Sequence, residues 1–422
     1  MLRTYFPLSF ISTLILLIST CAYAEDHTDE LHSATTQVTG FGTLGIAHST
    51  TSQADIVRDL SQRSGVGASG RTSLALDSNF GLQLDQRINE NTDAAIQLLA
   101  RKADKDFVPE LTWLYAAYTP NDRLKLRLGR VGFDAYMLAD SRQVAYSYTW
   151  VRPPVDFFGS LIVSYFDGAD AVLSFQDAQQ GNYQVKLYAG FARGKSYTGH
   201  ADYDFSLDGS RILGGHLAYQ RGAWSARLGY SQLLVKNEYS SLVPVLDAFH
   251  TAPLATLIPD AAQLSAELGM QNKRIRYLSA GLVYDAGPLQ VQAMFSQTST
   301  NSLNFPDSYA AFLSASYRMG KWTPYATLSA SRPVSAQIPL QPPANAPAEL
   351  VQLYKDLNDG IHSQRNRQST LSLGLRYDLS DASNLKLQID RIHSREKFLV
   401  RKEAPDWNGQ TMLLSASYNF VF

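Results

Sequence analysis

Among the residues able to do chemistry in this sequence are nine bases that share a face. Arg87, Arg123, Lys125, Arg127, Lys186, Arg227, Arg318, Arg376 and Lys386 lie in segments that alternate apolar and polar residues, each on the polar side. Asp85, Asp93, Asp170, Asp378 and Asp390 share that side and are fewer. Rings of Lys and Arg around a water path favour the passage of anions, so the chemistry in view is charge selection, not bond breaking. The catalytic alternatives are thin. G-x-G-x-x-G occurs at Gly40–Gly45 and at Gly65–Gly70, but neither opens a helix inside a βαβ unit, which nucleotide binding needs. The first reads as a glycine-rich strand and the second as a flexible loop. His27 and His32, beside Asp26, Asp29 and Glu30, form a weak metal cluster better read as a solvated tail. His216 and His393 fall on strands, and no serine pairs with either by spacing. No catalytic set, cofactor or metal site is expected.

The elements that must position these bases are strands. In Leu124-Lys125-Leu126-Arg127-Leu128 one face is leucine and the other cationic, and Leu385-Lys386-Leu387-Gln388-Ile389-Asp390 repeats the pattern. Successive strand side chains point to opposite faces, so each segment has one apolar and one polar side. About sixteen strands are expected, near 37–48, 71–88, 93–102, 110–119, 123–130, 164–176, 182–194, 209–221, 223–235, 273–286, 288–299, 307–319, 322–332, 367–378, 384–396 and 410–422. A kink is expected near Ser78-Asn79.

Connections sort by length. Short turns such as Asn89–Thr92, Arg221-Gly222, Gly287-Pro288 and Gly320-Lys321 alternate with long ones at 49–70, 131–163, 195–208, 236–272, 333–366 and 397–409. Transmembrane β-barrels have short periplasmic turns and long extracellular loops. Tyr118, Phe175, Tyr183, Tyr219, Trp224, Tyr284, Tyr317, Trp322 and Tyr377 gather near the short turns, as an interfacial aromatic girdle requires. The fold class is all-β, a closed antiparallel transmembrane barrel, because in hydrocarbon only closure pairs every backbone group. A barrel this wide has room for a water-filled lumen.

Composition agrees. The 422 residues are 45% hydrophobic but 18% charged, with net charge −1, which argues against a basic nucleic-acid binder. After the N-terminus no apolar run is long enough for a spanning helix. A single cysteine, Cys21, excludes a disulfide framework. Arg3, the apolar stretch Phe6 to Ile18 and Ala22-Tyr23-Ala24 read as a signal peptide, residues 1–24, cleaved after Ala24. Residues 25–36 then form a short periplasmic segment and 37–422 the barrel.

Two stretches carry a family resemblance. The chain ends Leu414-Ser415-Ala416-Ser417-Tyr418-Asn419-Phe420-Val421-Phe422, which resembles the C-terminal strand of Gram-negative outer-membrane proteins. Residues 126–159, LRLGRVGFDAYMLADSRQVAYSYTWVRPPVDFFG, look like the fifth strand and following loop of the porin superfamily. The resemblance implies a 16-stranded barrel in the outer membrane, held as a homotrimer among outer-membrane lipids. It also implies recognition of the Phe422 strand by the assembly machinery and passive passage of small hydrophilic solutes. Residues 131–160 become the inward-folded constriction loop. Asp134, Asp140, Arg142, Arg152 and Asp156 are its charged members, and Arg87, Lys125, Arg127 and Arg376 line the pore. The loops 236–272 and 333–366 are longer than the family pattern and carry helical stretches, Pro259 to Gly269 and Pro347 to Asn358 ending before Gly360. They leave open a substrate-specific channel gated by helical loops, and, as a weaker alternative, an outer-membrane barrel enzyme.

Overall fold

The computed structural model describes residues 35–422 except 140, 162, 179 and 198–203; the expected signal peptide and most of the expected N-terminal segment lie outside the described residues. Sixteen long strands follow one another: β1 Thr36–Ser49, β2 Asn79–Asn89, β3 Thr92–Ala103, β4 Asp106–Asn121, β5 Leu124–Gly132, β6 Tyr165–Gln176, β7 Asn182–Ala192 and β8 Arg211–Arg221 make the first half. β9 Trp224–Leu234, β10 Arg274–Ala286, β11 Leu289–Ser299, β12 Ser308–Tyr317, β13 Trp322–Pro333, β14 Asn366–Ser380, β15 Ser383–Lys397 and β16 Gln410–Val421 complete it. Each pairs antiparallel with the next, and β16 closes the barrel on β1, from Phe41↔Val421 to Ser49↔Leu413. All sixteen expected strands are present.

Alternation sets the two faces. On β13, Thr323, Tyr325, Thr327, Ser329 and Ser331 are buried inward, whereas Trp322 is 48% and Leu328 58% exposed on the outside. On β5 the exposed leucines Leu126 and Leu128 point out. An apolar exterior over a polar interior is stable only when hydrocarbon surrounds the barrel. The short turns lie at one end; Gly222 and Gly287, at φ +54° and +56°, make left-handed turns a side chain would strain.

Three expectations change in detail. The segment 71–88 is not one strand: Thr72–Ser73 pairs with β1 at His48 and Ala47, and pairing resumes at Asn79. The break turns Asp77 inward, where its carboxylate meets Arg152 and Arg58. β4 starts earlier than 110, because the β3–β4 ladder extends to Ala103↔Asp106 past a bulge at Gln97/Leu98. The helix expected to end before Gly360 runs Ala348–Ser363. Continuing places Ile361 on the face of Leu350, Tyr354 and Leu357, all four buried, and that burial outweighs the helix cost of one glycine.

Both glycine motifs prove structural. A Cβ at Gly42 would lie 2.4 Å from the Phe420 ring, and one at Gly40 2.3 Å from the Phe422 ring. The glycines of β1 are the seats of the C-terminal aromatics. Replacing Gly42 with Val should therefore unseat Phe420 and lower the yield of heat-modifiable barrel in membranes. Phe422→Glu should do so further, and undiminished barrel in both would refute this closure. At 65–70 the loop wraps the chain's own Asp55, which accepts from Gly65 N, Ser69 N and Ser69 Oγ. The nest binds an anion, but an internal one.

Candidate functional site

The connection after β5 folds into the barrel. Its aromatic residues Tyr136, Trp150, Phe157 and Phe158 pack on a wall that is apolar here: Tyr188 of β7, Tyr277 of β10, Met294 of β11, Phe312 of β12 and Tyr325 of β13. Phe157 lies 5.2 Å from Phe312 in edge geometry, and Trp150 lies 5.5 Å from the same ring. A wholly water-facing lumen is thus not what forms; part of the wall is a core shared with the loop. The Trp150 indole donates to Ser314 and Thr327 across β12 and β13, both at 3.0 Å.

Polar anchors fix the loop further along the wall. Arg152, 3% exposed, gives Nε and Nη2 to Asp77 at 2.9 and 2.5 Å and Nη1 to Asp390 at 2.8 Å. Lys386 of β15, 1% exposed in the hydrogen-bonding register of β14 and β16, donates to three carbonyls of the loop, Ala145, Tyr148 and Trp150. Arg376 adds bonds to the carbonyls of Tyr146 and Tyr148 and pairs with Asp378 at 2.8 Å. Asp156, at the start of the helical turn α1 (Val155–Phe158), is fully buried and accepts from Ser329 and Gln368 at 2.5 and 2.7 Å. Burial pushes its carboxyl above the usual carboxylate range, and no base offsets it nearer than these neutral donors.

Asp134 ends the other side of the loop. It meets Lys186 of β7 at 3.1 Å and Arg227 of β9 at 3.3 Å. Lys186 also reaches Asp170 of β6 at 3.2 Å, and Asp170 takes the bidentate fork of Arg127 at 2.9 and 2.5 Å. A ladder of alternating charge therefore runs β5–β6–β7–loop–β9. Arg142 is buried and donates to Ser164 Oγ at 2.7 Å. Asp140 lies outside the described residues.

The sequence-predicted charges thus separate. Asp134, Arg142, Arg152 and Asp156 are buried between loop and wall, and Arg127 is committed to Asp170. Arg87 and Lys125 are exposed on the inward faces of β2 and β5, with Arg123 beside them and Asp85 and Asp93 half-buried opposite. Asp77 and Arg58 were not singled out from sequence; the signal was an acid inside a stretch otherwise read as strand. A cavity of about 390 Å³ lies between the loop and β9–β14, reached by Leu138, Tyr148, Arg318 and Arg376. Above the long-loop ends, helices from two loops share one apolar cluster: α2 Val243–Ala248, α3 Leu254–Leu257 and α4 Ala261–Leu268 from the first, α5 Ala348–Ser363 from the second. There His250 Nε2 lies 3.1 Å from Ser265 Oγ, which also contacts the Leu246 carbonyl.

The chain has counterparts among known sequences. A family model described as Gram-negative porin matches residues 12–397. The chain belongs to the Gram-negative porins. This porin is an outer-membrane channel, and no curated protein matches it. Its fold is shared with solved structures at low identity. The trimer form of in-vitro folded OmpT from Vibrio cholerae is 9% identical, covering 92% of this chain and all of that one, at TM-score 0.52. OmpF of Salmonella typhi, in complex with daunomycin, is 10% identical over 92% and 97% of the two chains, at 0.53. An anion-selective porin from Comamonas acidovorans is 12% identical over 92% and 100%, at 0.50.

Proposed function

We propose that this porin passes small hydrophilic solutes by passive diffusion, that residues 131–160 set the width of its path, and that the path weakly prefers anions. The observation that carries the reading is the Lys386 clamp: three carbonyls of the loop on one buried ammonium hold the segment across the lumen from β15. The loop docks on β7–β16, and Arg87, Arg123 and Lys125 stay exposed where β2–β5 meet their short turns. We further propose a homotrimer, as the trimer form of the Vibrio protein suggests, cleavage after Ala24, and assembly through the Phe422 strand. The channel is not an enzyme in this reading: His216 bonds Arg227 at 2.8 Å, His393 bonds Arg395 at 3.2 Å, and the Ser265 hydroxyl that His250 meets also contacts the Leu246 carbonyl.

The test of selectivity is Arg87→Glu with Lys125→Glu. Among the described residues neither forms an ion pair within 4 Å, although Arg87 stands opposite Asp93 in the register, whereas loss of Arg127 would strand buried Asp170. The zero-current potential in a salt gradient should move toward cation preference, more at low salt, where the Debye length is longer. A wild-type pore that already prefers cations, or a variant indistinguishable from it at low salt, would refute the anion reading. A second reading, a substrate-specific channel gated from outside, is favoured by the apolar cluster that joins α2–α4 to α5.

A further inference from the structure

The cavity of about 390 Å³ between the loop and β9–β14 has the size of a small-molecule site. It lies toward the short turns, since Ser225 and Thr323 in its wall are the second residues of β9 and β13. Its two bases are neutralised in place. Arg318 pairs with Asp285 at 2.5 Å, and Arg376 with Asp378 at 2.8 Å. Among the described residues the cavity therefore carries no unpaired charge.

A line of hydrogen bonds starts at the first of these pairs and ends in the cavity. Gln290 Nε2 donates to Asp285 at 2.8 Å, and Gln292 Nε2 donates to Gln290 Oε1 at 2.8 Å. Gln292 is 6% exposed, and its Oε1 has no partner among the described residues. β11 turns this side chain inward with Met294 and Ser296, so the orphaned acceptor belongs to the cavity wall. A buried polar atom without a hydrogen bond is costly. Flipping the amide would not relieve it, because oxygen would then face oxygen down the line to Asp285. Across the cavity, Arg376 uses Nε on Asp378 and Nη1 on the loop carbonyls, which leaves Nη2 as a donor. The hydroxyls of Thr149, Ser225 and Thr323 make no hydrogen bond to a described residue. Leu138 and Tyr148 supply an apolar side. Leu138 holds φ +67°, a left-handed conformation that disfavours a bulky side chain, and strain of this kind gathers where a side chain has to meet a ligand.

We propose that this cavity binds a neutral polyhydroxyl solute of monosaccharide size. The inference rests on the channel reading for how the solute arrives, and on the cavity alone for how it is held. A sugar ring offers C–H faces to Leu138 and Tyr148 and a rim of hydroxyls that both donate and accept. One hydroxyl donates to Gln292 Oε1, and others accept from Arg376 or bond with the three hydroxyls. A carboxylate of the same size is disfavoured. Both arginines already hold an acid, so its charge would lose water without gaining an unpaired base.

The test uses the full barrel, refolded in a deuterated zwitterionic detergent, with glucose and glucuronate as probes. Saturation-transfer NMR reads binding, and single-channel current in potassium chloride reads the passage of ions. The wild type should bind glucose saturably and glucuronate more weakly. Gln292→Leu, similar in volume but without the acceptor, should weaken glucose binding about fivefold, the effect of one lost hydrogen bond. Thr323→Val removes a second contact and should weaken binding about twofold. It carries the test alone if Gln292→Leu lacks the heat-modifiable gel mobility of a folded barrel. Absence of saturable glucose binding, equal affinity in the wild type and the folded variants, or glucuronate bound as tightly as glucose would overturn the proposal. A barrel that carries current without binding glucose overturns this site alone. One that binds glucose but carries no current overturns the channel reading and leaves the site standing.

Discussion

Removal of residues 139–148 is expected to raise single-channel conductance severalfold while the barrel still inserts. A wall of sixteen strands encloses a lumen far wider than a small solute, so the narrowest section must come from what is folded inside it. The deleted stretch carries two of the three carbonyls held by Lys386 and both carbonyls held by Arg376. Those cations would then face water, which hydrates them at no cost to the sheet. Strand pairing from β5 to β6, Leu124↔Leu173 through Gly132↔Tyr165, lies outside the deletion and closes the wall. Unchanged conductance here, with a rise on deletion of 237–272, would move the constriction to the helical cap.

Arg152→Met should be the most destabilising single change in the loop. It leaves Asp77 and Asp390 buried without their shared guanidinium, with only Arg58, 3.7 Å from Asp77, as partial compensation. Breaking a buried ion pair from one side costs about 3–5 kcal/mol. The temperature at which the barrel loses its folded gel mobility should fall markedly. Adding Asp77→Asn and Asp390→Asn should restore most of the loss, since neutral amides no longer demand a cation. A single variant as heat-resistant as the wild type would contradict the anchoring role of Arg152.

The face on which a strand charge lies was legible in the sequence, but what it touches was not. Period-two alternation in Leu124–Leu128 and Leu385–Asp390 fixes the face of Lys125 and Lys386 equally, because side-chain direction in a strand is local. Yet Lys125 faces water and Lys386 lies under a loop that arrives from 236 or more residues away in sequence. Burial of an inward charge is set by long-range packing, which parity does not encode. Asp77 was hidden for a related reason: its alternation reads as strand, whereas its partners Arg152 and Arg58 come from other loops. Tyr277, Phe312 and Tyr325 of β10–β13 hold inward positions that parity alone assigns to a water-filled lumen. Their purpose appears only with Trp150 and Phe157 packed against them.

The account rests on the loop filling the lumen against β12 and β13, and single cysteines read this directly. Cys21 is the only cysteine in the sequence and precedes the described barrel, so introduced thiols report alone. Single-channel current is recorded for Lys125→Cys and for Thr327→Cys before and after a bulky charged thiol reagent. Lys125 is exposed on β5, whereas Thr327 is buried beneath Trp150. The account predicts a stepwise fall in current for Lys125→Cys and none for Thr327→Cys. Block at Thr327→Cys with an unaffected Lys125→Cys would contradict it.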